Sequence, residues 1–321
     1  MSRIWTLTPN PALDTTYRIP QLTIGIPHRI NDVTVRPGGK GLNVSRVLGQ
    51  LGVETHATGF VGGANGRRLL ELLADLPVSD KVRACFIETS AQTRLSIAVV
   101  DGDSEATVLN EAGETPTDSE WEALLTFLGT SLQPGDLLAS CGSFPGVSSP
   151  EWMTRLVETV HGVGARILVD ASGAVLHAAC AAGADFVKPN DLELQETTGC
   201  DSVPEGAAQL LSAGVKAVIT SEGAKGMSVH TRDGAFRAKP AQLVSGNPTG
   251  AGDASVAAWC HHLVGLFAGK PAEWMPSAQD LAEGLPLAVA LSGAAVACPV
   301  AGEVNLDLFA TMQPNVKVEE Y

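Results

Sequence analysis

The sequence predicts an α/β fold: a parallel sheet covered by helices on both faces, three layers in all, with a small β-sheet lid. Three observations carry this. From residue 118 onward, segments with helical spacing alternate regularly with short apolar runs. Those runs, such as Leu137-Leu-Ala139, Ile167-Leu-Val169 and Ala217-Val-Ile-Thr220, are apolar at successive positions, as strands buried on both faces must be. By contrast, residues 15–19, 32–35, 95–100 and 107–109 alternate polar with apolar or β-branched side chains, the pattern of strands with one face in water.

From the N-terminus, residues 4–7 read as a strand that Thr8-Pro-Asn-Pro11 stops, because each proline removes a donor and restricts the residue before it. Asp14 lies in the loop that follows. Residues 15–19 and 32–35 supply the first part of the small sheet. Arg36-Pro-Gly-Gly-Lys-Gly-Leu-Asn-Val44 then opens a helix with apolar residues at Leu42, Val47, Leu48 and Leu51. Residues 56–61 read as a strand, and Gly62-Gly-Ala-Asn-Gly66 leads into a helix with leucines at 69, 70, 72 and 73. Residues 85–88, 95–100 and 107–109 resume the lid pattern. The lid is therefore expected from about 12–36 and 85–112, within a single domain spanning 1–321. Helices at 118–132, 150–162, 174–182 and 204–213 alternate with strands at 136–140, 167–170, 185–188 and 217–221. The apolar run 285–301 contains Pro286 and Pro299 and is rich in Ala and Gly, which reads as a buried helix and not a membrane span.

Composition narrows the function classes. Thirty-five acidic against twenty-one basic residues give a formal charge of −14, which disfavours nucleic acid as a partner and requires locally placed cations for any anionic substrate. The six cysteines are scattered without a Cys-x-x-Cys pair, as in a cytoplasmic enzyme with reduced thiols. The N-terminal apolar run is too short for a signal peptide. His261 and His262 are adjacent on a helix and lack the spacing of a metal pair.

The glycine-rich helix starts carry the chemistry. Gly250, Ala251 and Gly252 run into an Ala-rich helix, where backbone amides approach an anion closely, and Asp253 falls in the first turn. A carboxylate there repels bound phosphate but suits removal of a proton from a hydroxyl attacking it; the same residues also fit a tight turn and a dipole partner. Gly38 and Gly39, with Lys40 and Asn43, bring amides, an ammonium and a carboxamide into one small volume, suited to sugar hydroxyls or phosphate. No Gly-x4-Gly-Lys-Ser/Thr occurs, so this is not a P-loop. The cluster at 62–66 lacks the acidic residue of a dinucleotide site. Polar residues fall at strand ends, where ligands of parallel sheets gather: Cys141-Gly-Ser143, Asp170, Lys188-Pro-Asn190 and Ser221-Glu-Gly223. Asn190 and Glu193 suit a hydrated Mg²⁺ and equally a reciprocal helix cap.

Seven stretches in order then resemble the ribokinase-like carbohydrate kinases, the PfkB family, and within it the branch of 1-phosphofructokinase and tagatose-6-phosphate kinase. They are Thr8-Pro-Asn-Pro-Ala-Leu-Asp14, Pro37-Gly-Gly-Lys-Gly-Leu-Asn43, Thr93-Arg94, Cys141-Gly-Ser-Phe-Pro145, Lys188-Pro-Asn-Asp-Leu-Glu193, Ser221-Glu-Gly-Ala-Lys-Gly226 and Thr249-Gly-Ala-Gly-Asp253. The resemblance implies a ribokinase-like three-layer sandwich and an ATP- and Mg²⁺-dependent kinase acting on a ketohexose phosphate. Fructose 1-phosphate is the first expected acceptor, with tagatose 6-phosphate and fructose 6-phosphate behind it. A non-catalytic sugar-phosphate or nucleotide sensor is the rival of another class, and the intact Gly-Ala-Gly-Asp stretch argues against it. In the family's terms Asp253 is the base, and the amides of Gly250, Ala251 and Gly252 form the anion hole. Asp14, Gly38, Gly39, Lys40, Asn43, Arg94 and Ser143 hold the sugar phosphate. Lys188 and Asn190 serve the nucleotide phosphates, Asn190 and Glu193 the metal through water, and Ser221, Gly223 and Gly226 the ATP loop, with Ser292 and Gly293 bordering adenine. The chain departs at Cys141 and Phe144, where the family's common stretch has Ser and Leu, and carries only His28 and Arg29 as basic residues in the first lid segment. A one-sided lid sheet also implies a homodimer through the lid.

Overall fold

The computed structural model describes residues 2–102, 106–271 and 273–321. Its main sheet runs Lys317–Glu320, Ala235–Lys239, Met227–His230, Ala217–Ser221, Phe186–Val187, Arg166–Asp170, Leu137–Cys141, Ile4–Thr8, Thr55–Val61, Val82–Ala84 from edge to edge. The strands from Ala217–Ser221 to Val82–Ala84 are parallel. Successive residues on them point into different cores. Leu137, Leu168, Phe186 and Ile219 join one with the helices Lys40–Gln50, Ala251–Phe267 and Leu285–Val296. Leu138, Ile167, Val169 and Val218 join the other with Asp118–Ser131, Glu151–Gly162, Gly173–Ala181 and Val203–Ala213. This period-2 division explains why the strand sequences are apolar throughout.

The first strand is the centre of the topology. The chain passes from Ile4–Thr8 outward to Thr55–Val61 and Val82–Ala84, then returns on the other side through Leu137–Cys141. The connections thus diverge at the carboxyl end of Ile4–Thr8, which opens a crevice there.

Three strands at one edge depart from the all-parallel expectation. Met227–His230 and Ala235–Lys239 form an antiparallel hairpin beside Ala217–Ser221, and Lys317–Glu320 closes the edge, also antiparallel. Those last four residues are exposed and mostly charged, which blunts the edge against pairing with other chains. The apolar run near the C-terminus is the buried helix Leu285–Val296, which stops before Pro299. Among the described residues no helix is long and apolar enough to cross a membrane.

The lid is a four-stranded sheet in the order Asp32–Gly38, Ala12–Ile19, Arg94–Asp101, Thr107–Asn110. Asp14 is thus on a strand and not in a loop. Of the expected second segment, residues 85–88 do not enter the lid: Ile87–Glu88 pairs with Phe60–Val61 at the main sheet, as Val82–Ala84 does lower on the same strand. Short strands buried on one side look alike in sequence whichever sheet they join. Residues 103–105 of that segment lie outside the described residues. One lid face carries Asp14, Thr16, Arg18, Arg36, Ser96 and Val108 and lines the cleft over the main body. The other carries Tyr17, Val33, Val35, Ile97, Val99 and Leu109, with Val33 47% and Leu109 59% exposed.

Candidate active site

A cleft of roughly 790 Å³ opens between the lid, at Asp14, Arg36 and Ser96, and the loops 246–249 and 299–301 of the main body. Two helix N-termini meet beside it, where Asn43 of one reaches Asp253 of the other. The helix Ala251–Phe267 begins at Gly250, whose φ of +92° and approach to Ala301 exclude a side chain: a Cβ would lie 2.7 Å from Ala301 Cα. Asn247 shapes the entry, its side-chain oxygen accepting from Thr249 N at 3.0 Å while its amide reaches the Pro299 carbonyl. The N–H of Ala251 turns to Pro248 O and that of Ala254 to Gly250 O. Among the described residues the amides of Gly250, Gly252 and Asp253 donate to no main-chain carbonyl. Of the three amides expected at the anion hole, that of Ala251 is therefore already engaged.

Asp253 is buried and accepts a hydrogen bond from Asn43 Nδ2 at 2.8 Å. Burial, reinforced by the charge of Asp170, pushes its carboxyl up to about 6, against the Asn43 hydrogen bond and the charges of Lys40 and Lys188. Asn43 belongs to the helix Lys40–Gln50, which starts at Gly39 with φ +121°. A Cβ at Gly38 would collide with the Asp14 carboxylate, and one at Gly39 with Thr8 Cγ2. The diglycine thus lets the lid carboxylate and the first strand close directly onto the helix start.

Lys40 and Lys188 converge on one carboxylate. Lys40 Nζ donates to Asp170 Oδ2 at 3.2 Å, and Lys188 Nζ lies 3.4 Å from Asp170 Oδ1. The charge of Asp170, with Asp253 and Glu193 beyond it, raises the hold of Lys40 on its proton despite burial. Burial pushes Asp170 upward, but the charges and hydrogen bonds of Lys188 and Lys40 overcome it and hold the carboxyl below its ordinary range.

On the lid side, Asp14 is pushed up to about 6 by burial, against the charges of Arg94 and Arg46 and a hydrogen bond from Ser96. Arg94 opens its lid strand two residues before Ser96, the partner of Asp14 in register, and donates to the carbonyls of Asn10 and Glu111. Ser143 is exposed, its Oγ 3.4 Å from Asn10 Nδ2. His28 is tied back to the Thr23 main chain in the exposed loop, with Arg29 beside it.

Asn190 and Glu193 form the reciprocal cap: Glu193 N donates to Asn190 Oδ1 at 2.8 Å, and Asn190 N donates to Glu193 Oε2 at 2.9 Å. Asn190 also bridges in register to Ser221. Gly223 and Gly226, at φ +55° and +105°, make the turn after Ser221, and Gly226 lies against the Ala238 carbonyl. At Gly293 a Cβ would lie 2.7 Å from Met312 Cε, so it permits close packing of the last helices, with Ser292 beside it only partly buried. Among the described residues no cluster of three or more His, Cys, Asp or Glu is placed to hold a metal.

Two residues gain importance that sequence reasoning did not assign. Asp170 was visible only as a charge ending an apolar strand. Arg46, three residues after Asn43, is a buried arginine that donates to the Ala301 carbonyl and lies 3.4 Å from Asn43 Oδ1. As a pure donor it turns the amide group of Asn43 toward Asp253. It also shares Glu303 with Arg36 of the lid. Nothing in a helical i, i+3 spacing distinguishes this arginine from a solvated one.

Residues 9–307 match the profile described as pfkB family carbohydrate kinase. The 1-phosphofructokinase of Haemophilus influenzae is 31% identical over 263 residues, covering 80% of this chain and 83% of that one. Phosphofructokinase-2 from Escherichia coli, in complex with fructose-6-phosphate, is 28% identical, with 98% of this chain and 99% of that chain covered at a TM-score of 0.84. Ribokinase of Arabidopsis thaliana, complexed with ribose and ATP, shares the fold at 20% identity and TM-score 0.69, over 97% of this chain and 98% of that one.

Proposed function

The chain belongs to the pfkB family of carbohydrate kinases, an ATP-dependent sugar-phosphate kinase of phosphofructokinase type, and from this premise we propose that its acceptor is fructose 1-phosphate, phosphorylated at O6 to fructose 1,6-bisphosphate. The observation that carries the reaction is the buried Asp253 at a helix N-terminus, its carboxyl pushed up to about 6 and oriented by Asn43. A base poised there is largely ionised at neutral pH yet basic enough to accept a hydroxyl proton in the transition state. The choice of acceptor is supported by the name of the 31% identical relative and by the two N-terminal motifs, which meet here as Asp14 over Gly38.

In this reading the Asp253 carboxylate takes the proton of the attacking hydroxyl, and the amides of Gly250, Gly252 and Asp253 meet the charge on the transferring phosphoryl group. Asp14 and Asn43 orient the sugar hydroxyls. Arg94, Lys40 and Ser143 receive the sugar's phosphate, the two cations supplying what the acidic chain lacks overall. Lys188, with the turn of Ser221, Gly223 and Gly226, holds the nucleotide phosphates, and Ser292 and Gly293 flank the base. The donor set suits a hydrated Mg²⁺: the cap engages one oxygen of Glu193 and leaves the other, and Mg²⁺ takes few protein ligands. Asn190 and Glu193 would hold it, and it would neutralise charge on the phosphates. Lid closure over the cleft keeps water from the phosphoryl group. The lid's apolar outer face, with Val33, Val35 and Leu109, fits a second copy of the chain in a homodimer, and the activity belongs to the cytoplasm.

The test is ADP formation by the purified chain with Mg²⁺-ATP and each of fructose 1-phosphate, fructose 6-phosphate and tagatose 6-phosphate. The expected result is a kcat/KM for fructose 1-phosphate well above the other two. Preference for a 6-phosphate overturns the acceptor, and binding without ADP formation returns the sensor reading.

A further inference from the structure

Asp170 pairs with two ammonium groups at once, and the reading above gives it no task. Its side chain is 3% exposed. One carboxylate oxygen faces Lys188, from the nucleotide side, and the other faces Lys40, from the helix on the sugar side. Its main-chain carbonyl accepts from Gly142 N at 2.8 Å, which ties the same strand end to the turn carrying Ser143. With both oxygens committed to ammonium groups and the carboxyl held below its ordinary range, Asp170 is a poor proton acceptor and is screened from substrate. A buried ion pair is also weak evidence of stabilisation, since desolvating the charges offsets much of their attraction.

We propose that Asp170 is a positioning residue that acts through the two lysines, fixing the Lys40 ammonium on the sugar side and the Lys188 ammonium on the nucleotide side in one geometry. The two substrates then meet cations whose spacing is set by a single rigid strand end, before either arrives. The arrangement also balances charge, because Asp170 and Asp253 face Lys40 and Lys188. Asp253 is faced by Asp170 at its strand end, Lys40 and Asn43 on one helix, Lys188 after the neighbouring strand, and the Cys141 thiol between them, with Arg46 behind Asn43. Removing the Asp170 charge leaves two ammonium groups uncompensated beside Asp253 and favours its ionised form.

This inference rests on the kinase reading for its kinetic consequences, but its electrostatic consequence needs no turnover. The experiment compares wild type with Asp170→Asn and with the double variant Asp170→Asn/Lys188→Met, which also removes the more deeply buried of the two ammonium groups if the single variant folds poorly. In Asp170→Asn, kcat/KM is expected to fall roughly 10²-fold for both ATP and sugar phosphate. In the double variant the sugar-phosphate KM stays raised, because Lys40 has lost its anchor although the altered lysine lies on the nucleotide side. In ligand-free protein, carboxyl ¹³C titration of Asp253, assigned by its absence in Asp253→Asn, moves to lower pH in Asp170→Asn. An unmoved Asp253 midpoint, a loss confined to one substrate, or a normal sugar-phosphate KM in the double variant overturns the proposal. If wild type turns over no sugar phosphate, the kinase reading fails while the titration still decides the role of Asp170.

Discussion

Replacing Asp253 by Asn keeps the shape of the side chain and its acceptor for Asn43 Nδ2 while deleting the proton acceptor and its charge. Two opposite effects follow from the same burial. Loss of a general base typically lowers turnover by about 10²- to 10⁴-fold. Stability moves the other way. Raised from 3.8 to about 6, the carboxyl makes the ionised folded state less stable by about 3 kcal/mol relative to one with an unperturbed group. The sign follows from proton binding. Between pH 3.8 and about 6 the folded chain holds a proton that the unfolded chain has released, so the cost is complete above about pH 7 and disappears as pH falls toward 3.8. Asn carries no such cost. For a chain of 321 residues this corresponds to a melting temperature about 4 °C higher for the variant at pH 8, with the gap narrowing at pH 5. Differential scanning calorimetry at both pH values, beside ADP-release kinetics at pH 8, measures the two effects. A variant that is less stable than wild type at pH 8, or one with near-normal turnover, would refute the picture of a desolvated, catalytically poised carboxylate.

Asp14 and Asp253 are both pushed up to about 6, so kcat/KM for the sugar phosphate should fall with a limiting slope near two below that pH. Asp14→Asn should reduce the slope to about one while raising KM, as a pH-rate profile of each would show. Arg94→Lys keeps the charge but loses the planar fork that spans the Asn10 and Glu111 carbonyls; sugar-phosphate KM is expected to rise roughly tenfold with ATP KM unchanged, and an equal rise in both would point to general damage. Gly250→Ala forces a side chain into the space of Ala301 at positive φ, so turnover should drop at least about tenfold with the fold retained by circular dichroism. Leu109→Asp, on the exposed lid face, should shift sedimentation velocity from dimer to monomer; an unchanged profile would remove the lid as the interface.

How much of this was legible depends on how local each feature is. The parallel core was readable because burial on two faces leaves its mark on every strand residue, from Leu137-Leu-Ala139 to Ala217-Val-Ile219. Helix starts were readable because Gly39 and Gly250 need positive φ, a demand that few other residues meet. The reciprocal cap at Asn190 and Glu193 is likewise a matter of three residues. Segment 85–88 was misplaced because two-residue pairing has no period to read, and the antiparallel edge escaped because Met227–His230, though buried throughout, carries the polar Ser228 and His230, while Lys317–Glu320 is exposed and mostly charged.

By itself the sequence determined the architecture, the two glycine-rich helix starts and the residue types of phosphoryl transfer, all of which follow from local backbone geometry and hydrophobic period. Only the tertiary structure decided which charges meet. Asp170 is held by lysines 130 positions before it and 18 after it, Asn43 reaches Asp253 across 210 positions, and Arg36 reaches Glu303 across 267. The energy of a charge depends on burial and on its neighbours in space, and no spacing along a chain encodes that.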